Sequence, residues 1–340
     1  MVKIGLVSPF LPEQDGIAVY SDNLYVGAGK KNIVRIGRVK GDCEYVVDFT
    51  SFSLRSKLEH IIAKEKLDVV HFQYVASLFG KRNLNLAFIR ALSLSVPVVV
   101  TLHEVQYGQG GMRNRLLSML EKKIISRAAL VIVHTPEQRT FLEKKYGASN
   151  IRCIYHGLWS KSGGVGDAKS VLFFGMISEA KGVPSLIGAM DYLGDYSLTI
   201  AGRFVDDASE KSVRDALKKS AAKITTDFGW IDEKKKELLF RKAAVCVLPY
   251  TWAPYQSGIL HNALSFQVPV VVTDVGALPE IVSSFHCGEV VNTDAKSLAA
   301  GIEKVVRQPG RYRTGITSYQ KKADWKVVAE EHMTLYGGLK

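Results

Sequence analysis

Short apolar segments alternate with amphipathic helical segments along almost the whole chain, and that alternation restricts it to a parallel α/β architecture. The expected strands are Lys3–Val7, Val34–Gly37, Val46–Phe49, Val69–Phe72, Val98–Leu102, Leu130–Val133 and Arg152–Tyr155. They resume with Val171–Phe174, Ser197–Ala201, Ile224–Phe228, Ala244–Leu248, Val270–Thr273 and Glu289–Val291. Near-continuous runs such as Val96-Pro97-Val98-Val99-Val100 belong to strands buried on both faces, the habit of parallel sheets. One break interrupts the pattern, the Gly/Ser-rich stretch Ser160-Lys161-Ser162-Gly163-Gly164-Val165-Gly166-Asp167, which reads as a hinge. The 340 residues therefore divide into two doubly wound Rossmann-like domains, 1–160 and 168–318, with a terminal helical segment over 319–340.

Bulk chemistry narrows the class. A hydrophobic content of 47% and a mean hydropathy of +0.05 describe a globular chain, and no window approaches the ~18 apolar residues of a membrane span. The opening Met1-Val2-Lys3-Ile4-Gly5-Leu6-Val7-Ser8-Pro9 reads as a first strand rather than a signal peptide. Cys43, Cys153, Cys246 and Cys287 are scattered without a C-x-x-C pair, as expected of free thiols in a reducing, cytoplasmic setting. Residues 1–165 carry 23 Lys+Arg against 13 Asp+Glu, a net of +10, out of +12 for the whole chain. Such a half faces an anionic membrane, an acidic substrate or water; no nucleic-acid-binding signature accompanies it.

In doubly wound sheets ligands sit beyond the carboxyl ends of strands, so the loops there carry the function. Phe240 to Val282 is the richest such region: a strand, the loop Tyr250-Thr251-Trp252-Ala253-Pro254-Tyr255-Gln256-Ser257-Gly258, a helix, a second strand and a second turn, Asp274 to Glu280. Two adjacent helix N-termini suit a nucleoside diphosphate, because N–H groups and helix dipoles aim at whatever sits there; the plainer reading is an ordinary pair of βα units. The loop after the first strand carries Gly16, which permits close backbone approach, but its spacing is not the G-x-G-x-x-G of a dinucleotide fold. His103 ends a strand, where it either serves a hydroxyl or leaving group or is a structural hydrogen-bonder. Gly175 opens a turn leading to Lys181, placed to pair with phosphate oxygens, and Arg203 offers a cation after another strand.

The order and spacing of Asp15-Gly16-Ile17-Ala18, Asp68-Val69-Val70-His71, Thr101-Leu102-His103-Glu104, Phe173-Phe174-Gly175 with Lys181-Gly182, Ile200-Ala201-Gly202, and Pro269-Val270-Val271 leading into Asp274 to Glu280 resemble the family 4 retaining glycosyltransferases. The resemblance covers nearly the whole chain and implies the GT-B fold, two Rossmann-like domains facing a cleft. It also implies transfer of a sugar from a nucleotide-sugar donor, GDP-mannose or a UDP-hexose, to a glycolipid, polysaccharide or other glycan acceptor, with retained configuration, no catalytic metal and no cofactor. Under it, His103 and Lys181 are the candidate catalytic residues, the first on the donor sugar and the second on the departing diphosphate. Gly16, Ile17, Gly175, Arg203, Gln256, Ser257, Gly258 and Asn262 are the candidate donor-binding residues. The terminal helix is expected either to cross back and pack on the first domain, as the resemblance implies, or to stay on its own domain.

The chain departs from the family pattern at two points. Met176 stands where an arginine commonly follows the glycine, with Arg203 as its candidate replacement. The two glutamates separated by seven residues fall on Pro254 and Asn262, neither of them acidic. A catalytically silent nucleotide-sugar-binding subunit is therefore the alternative function. The helix over Met112–Ile125, mixing Leu/Met with Lys/Arg, is read either as a core helix or as a peripheral contact with the inner, anionic face of a membrane.

Overall fold

The computed structural model describes residues 2–13, 15–80, 85–107, 111–161, 163, 166–253 and 257–340. Positions 254–256, with the expected donor contact Gln256 and the acid-replacing Pro254, lie outside that set, as do 162, 164 and 165 of the Gly/Ser-rich break. The chain forms two compact units, Met1–Gly157 together with Ala323–Lys340, and Leu158–Lys322.

The first unit contains β1 (Ile4–Val7), α1 (Gly16–Gly27), β2 (Ile33–Gly37), β3 (Tyr45–Val46), α2 (Leu54–Glu65), β4 (Val69–Tyr74), α3 (Leu86–Ala91), β5 (Val98–Leu102), α4 (Met112–Arg127), β6 (Leu130–Val133), α5 (Pro136–Tyr146) and β7 (Ile151–Cys153). Its sheet runs β3-β2-β1-β4-β5-β6-β7 with parallel pairings throughout. Strand order reverses between β1 and β4. The four central strands are buried on both faces, which is why they read as unbroken Val/Ile runs. β4 runs two residues further than its apolar pattern suggests: Gln73 and Tyr74, expected just beyond the strand, are buried within it.

The second unit contains β8 (Ser170–Phe174), α6 (Val183–Met190), β9 (Ser197–Gly202), α7 (Asp207–Lys219), β10 (Lys223–Phe228), α8 (Glu233–Lys242), β11 (Val245–Leu248), α9 (Gly258–Ser265), β12 (Val270–Thr273), α10 (Leu278–Phe285), β13 (Gly288–Val291), α11 (Ala295–Arg307) and most of α12 (Pro309–Ala323). Its parallel sheet runs β10-β9-β8-β11-β12-β13, with the reversal between β8 and β11. Tyr319 and Gln320, assigned from sequence to the terminal segment, still pack here: the Tyr319 hydroxyl lies 3.0 Å from His261 Nδ1, and Gln320 donates to the Leu264 carbonyl at 2.7 Å.

The chain rejoins the first unit at α13 (Trp325–Gly337), which lies along α1. Trp325 is buried edge-on to Tyr20 with ring centroids 4.9 Å apart, and its ring fills the space a side chain at Gly157 would need. The Tyr336 hydroxyl sits 2.6 Å from His71 Nδ1 on β4. All four cysteines are free thiols, Cys246 and Cys287 buried, Cys43 and Cys153 half-buried.

Candidate active site

In the second unit the reversal of strand order places the loops after β8 and β11 side by side. The Thr251 N–H donates to the Ala180 carbonyl at 2.9 Å. At Gly182, with φ of +62°, a Cβ would fall onto the Pro249 carbonyl oxygen, so only glycine lets the two loops meet. Lys181 precedes it at the end of a short 3-10 turn, its ammonium 3.7 Å from the centre of the Tyr250 ring. The Tyr250 hydroxyl in turn lies 3.1 Å from the Ser257 hydroxyl, and Thr273 donates to the Tyr250 carbonyl at 2.5 Å. Lys181 and Ser257 are thus linked through one aromatic ring that sequence reasoning passed over as a loop residue.

Two features make this corner receptive to an anion. Ser257 occupies the N-cap of α9 yet makes no side-chain cap among the described residues, its hydroxyl being turned to Tyr250. Asp206, Asp232 and Asp294, at the same position of α7, α8 and α11, each accept a first-turn N–H. The α9 first turn therefore keeps the N–H groups and partial positive charge of a helix start. Burial meanwhile lowers the Lys181 ammonium to about 8, a half-buried cation whose charge a nearby anion would stabilise. Gly258 opens α9, and a Cβ built there meets nothing within 4 Å among the described residues. Asn262 lies one turn further on the same helix face. Gly175, at φ of +124°, packs its backbone against α9, a Cβ there lying 3.2 Å from Ile259 Cγ1.

Arg203 is placed differently. It is exposed after β9, lining with Phe204, Asp207 and Phe228 an open cavity of about 380 Å³. The Met176 side chain is exposed at the carboxyl end of β8. The second helix start singled out from sequence, that of α10, carries Glu280 in its first turn, which opposes an anion there.

In the first unit, Gly16 is the exposed first residue of α1, and a Cβ added there would meet nothing within 4 Å among the described residues. The Ile17 N–H is taken by the Asp15 carboxylate at 2.7 Å and its half-buried side chain packs against the core. His103 lies just after β5, and both its ring nitrogens face side chains: Nε2 is 2.7 Å from Gln73 and Nδ1 is 3.4 Å from His134. Burial and the neighbouring imidazoles hold His103 neutral, well below its ordinary 6.5. Around it, His71, His134, His156 and His332 gather with Tyr20 and Tyr336, a cluster assembled from five parts of the chain. Single strand-end histidines were legible in sequence; their convergence was not. Among the described residues no three His, Cys, Asp or Glu side chains are grouped to hold a metal ion.

Residues 19–158 match the model of Glycosyltransferase Family 4, and residues 168–308 match that of Glycosyl transferases group 1. The α-maltose-1-phosphate synthase of Mycolicibacterium smegmatis is 27% identical over 184 residues, covering 49% of this chain and 47% of the relative, so the alignment spans about half that protein's length. The fold matches a sucrose-phosphate synthase from Thermosynechococcus elongatus with a TM-score of 0.79 at 20% identity, over 100% of this chain and 99% of that one. It also matches Anabaena HepE, solved in complex with UDP-glucose, with a TM-score of 0.77 at 14% identity over the whole of both chains.

Proposed function

The chain belongs to the family 4 glycosyltransferases, and from that premise we propose that it moves a hexosyl group from a nucleotide-sugar donor to a glycan or glycolipid acceptor, with retained configuration and without a catalytic metal. The observation that carries this reading is the joining of Lys181, Tyr250, Ser257 and the start of α9, which has no side-chain cap among the described residues, at the strand-order reversal of the second unit. When the bond to the anomeric carbon breaks, negative charge accumulates on the departing diphosphate. A fixed ammonium and first-turn N–H groups stabilise that charge more in the transition state than in the intact donor, which lowers the barrier. These groups take the duty a divalent cation performs elsewhere. Gly258 lets the diphosphate approach the helix start, and Asn262 offers a neutral amide to a ribose hydroxyl. In the first unit Gly16 and His103 serve the transferred sugar.

The donor is GDP-mannose or a UDP-hexose; the UDP-glucose complex of HepE supports the second. Calorimetry and thermal shift with UDP, GDP, ADP, dTDP and their hexose conjugates test the reading, one nucleotide being expected to raise the unfolding midpoint. Stabilisation by none of them would refute it. Asn262 in place of an acid favours one second reading, a subunit that binds a nucleotide sugar without turning it over. Lys181→Ala separates the two: a transferase loses kcat by about 10²–10³-fold, whereas a silent subunit has no turnover to lose.

The acceptor side is proposed to be a membrane surface. On α4, exposed Met112, Leu116 and Met119 share a face with exposed Arg115, Lys122, Lys123 and Arg127. Its one acid, Glu121, points inward, where it accepts from Tyr146 at 2.7 Å and pairs with Lys145 at 3.2 Å. A face with four cations, three large apolar groups and no carboxylate suits an anionic lipid interface. Co-sedimentation with phosphatidylglycerol vesicles but not phosphatidylcholine vesicles is expected; indifference to lipid charge removes the proposal. Among the described residues no helix is long and apolar enough to cross a membrane.

A further inference from the structure

We propose that Gln73 is a positioning residue: together with His134 it fixes His103 as the neutral Nδ1–H tautomer and joins it through His71 to Tyr336 of the C-terminal helix α13. The inference rests on His103 serving the reaction proposed above, but its geometry stands by itself. Gln73 is fully buried in β4 between two imidazoles, 3.3 Å from His71 Nε2 on one side and 2.7 Å from His103 Nε2 on the other.

Proton counting orders the chain. The Ile154 carbonyl can only accept, so His134 Nδ1, 3.0 Å away, carries a hydrogen. Burial lowers His134 to about 4, so at neutral pH it carries one proton only and its Nε2 is bare. The 3.4 Å contact then requires the hydrogen on His103 Nδ1. His103 is neutral too, so its Nε2 is an acceptor; Gln73 Oε1, placed 2.7 Å from it, cannot donate, so the proton count turns the amide over and sets its NH₂ end there. The amide oxygen is thereby turned to His71 Nε2, which donates chiefly to the Thr101 hydroxyl at 2.8 Å. His71 Nδ1 is left bare to accept from the Tyr336 hydroxyl at 2.6 Å. Every donor in the row points the same way, from Tyr336 to the Ile154 carbonyl, and no imidazole is charged. The opposite amide orientation leaves two bare nitrogens facing each other across the His103–His134 contact.

The functional consequence is that His103 offers a hydrogen at Nδ1, across its longest and weakest contact, and no lone pair there. It is a hydrogen-bond donor to a substrate oxygen and does not act as a base from that atom. A side chain on α13, remote in sequence, shares responsibility for that state.

The test is a long-range ¹H–¹⁵N correlation spectrum of the full chain labelled with ¹⁵N-histidine at pH 7.5, the His103 signals being assigned by their loss in His103→Gln. An Nδ1–H pattern is expected; an Nε2–H pattern, or protonation of both nitrogens, overturns the proposal in the unsubstituted protein. In Gln73→Met, which keeps the volume and removes both hydrogen bonds, the signals should shift to a mixture of tautomers. Once a donor is in hand, kcat should fall about tenfold or more while KM stays within about twofold. An unchanged tautomer in a folded Gln73→Met protein also overturns it. The spectrum needs no turnover, so an Nδ1–H pattern in a chain that transfers no sugar would refute the proposed function and leave this inference standing.

Discussion

Acidification should unfold the first unit well before ordinary acid denaturation, because its buried histidines must stay neutral. Three of them, His71, His134 and His332, are at most 1% exposed. Burial lowers His134 and His332 to about 4 and His71 well below 6.5. A folded-state value below the unfolded one means the unfolded chain binds more protons as the pH drops. Stability is therefore intact above about 6.5 and is lost as the pH falls from there toward 4. Each such histidine costs about 1.4 kcal/mol by pH 5.5, so the three together remove about 4 kcal/mol, out of the roughly 5–15 kcal/mol typical of a domain. His103 and His156 are only half-buried and are left out of that figure. Urea titrations between pH 8 and 5 measure the effect. Trp325 is the one tryptophan of the first unit, so a chain retaining it and carrying Phe at 159, 230 and 252 reports this unit alone. A midpoint that falls steeply below pH 6.5, with a slope approaching three protons, is expected, and His134→Gln should reduce that slope by about one. A first-unit stability that is flat from pH 7.5 to 5.5 would refute the reasoning.

Gly258→Ala should leave the melting temperature unchanged or slightly raised and weaken nucleoside diphosphate binding tenfold or more, read by calorimetry, since a Cβ there meets nothing within 4 Å among the described residues. Gly182→Ala should behave in the opposite sense, destabilising by about 1–3 kcal/mol or more in urea titrations, because its φ and the Pro249 carbonyl both exclude a side chain. With Lys181 at about 8, diphosphate affinity should fall roughly tenfold per pH unit above that value, whereas Lys181→Arg should hold its affinity to pH 9.5. Met119→Glu should cut association with anionic vesicles about tenfold without moving the melting temperature, the residue being 58% exposed on α4.

Much of the fold was legible because parallel strands buried on both faces leave a local signature, and every strand expected from the apolar runs is present within a few residues. What the runs hid was polar. Gln73 belongs to β4, but its amide interrupts the apolar pattern, so the strand reads as ending at Phe72. The site residues divide in the same way. Lys181 and Ser257 could be picked from loops after strands, and adjacency of those loops follows from strand order. The role of Tyr250 depends on the direction of one ring, which no spacing encodes. The imidazole cluster pairs residues as remote as His71 and Tyr336, 265 positions apart, and pairings at that separation leave no periodic trace. Arg203 was chosen on charge alone; the structure sets it exposed on an open cavity after β9, its carbonyl accepting from the Ile177 N–H at 2.8 Å.

The first unit is discontinuous: α13 reaches it only after the whole of Leu158–Lys322 has intervened. During synthesis the earlier part must therefore wait, at 5–20 residues per second, for roughly ten to thirty seconds before Trp325 and Tyr336 emerge to close over Tyr20 and His71. In that interval the ring pocket is open and its apolar walls are available to chaperones or to misassociation, while the later-made unit can already be complete. Order of manufacture and order of completion are thus reversed between the two halves, and damage to α13 would be felt as a folding defect in residues made long before it.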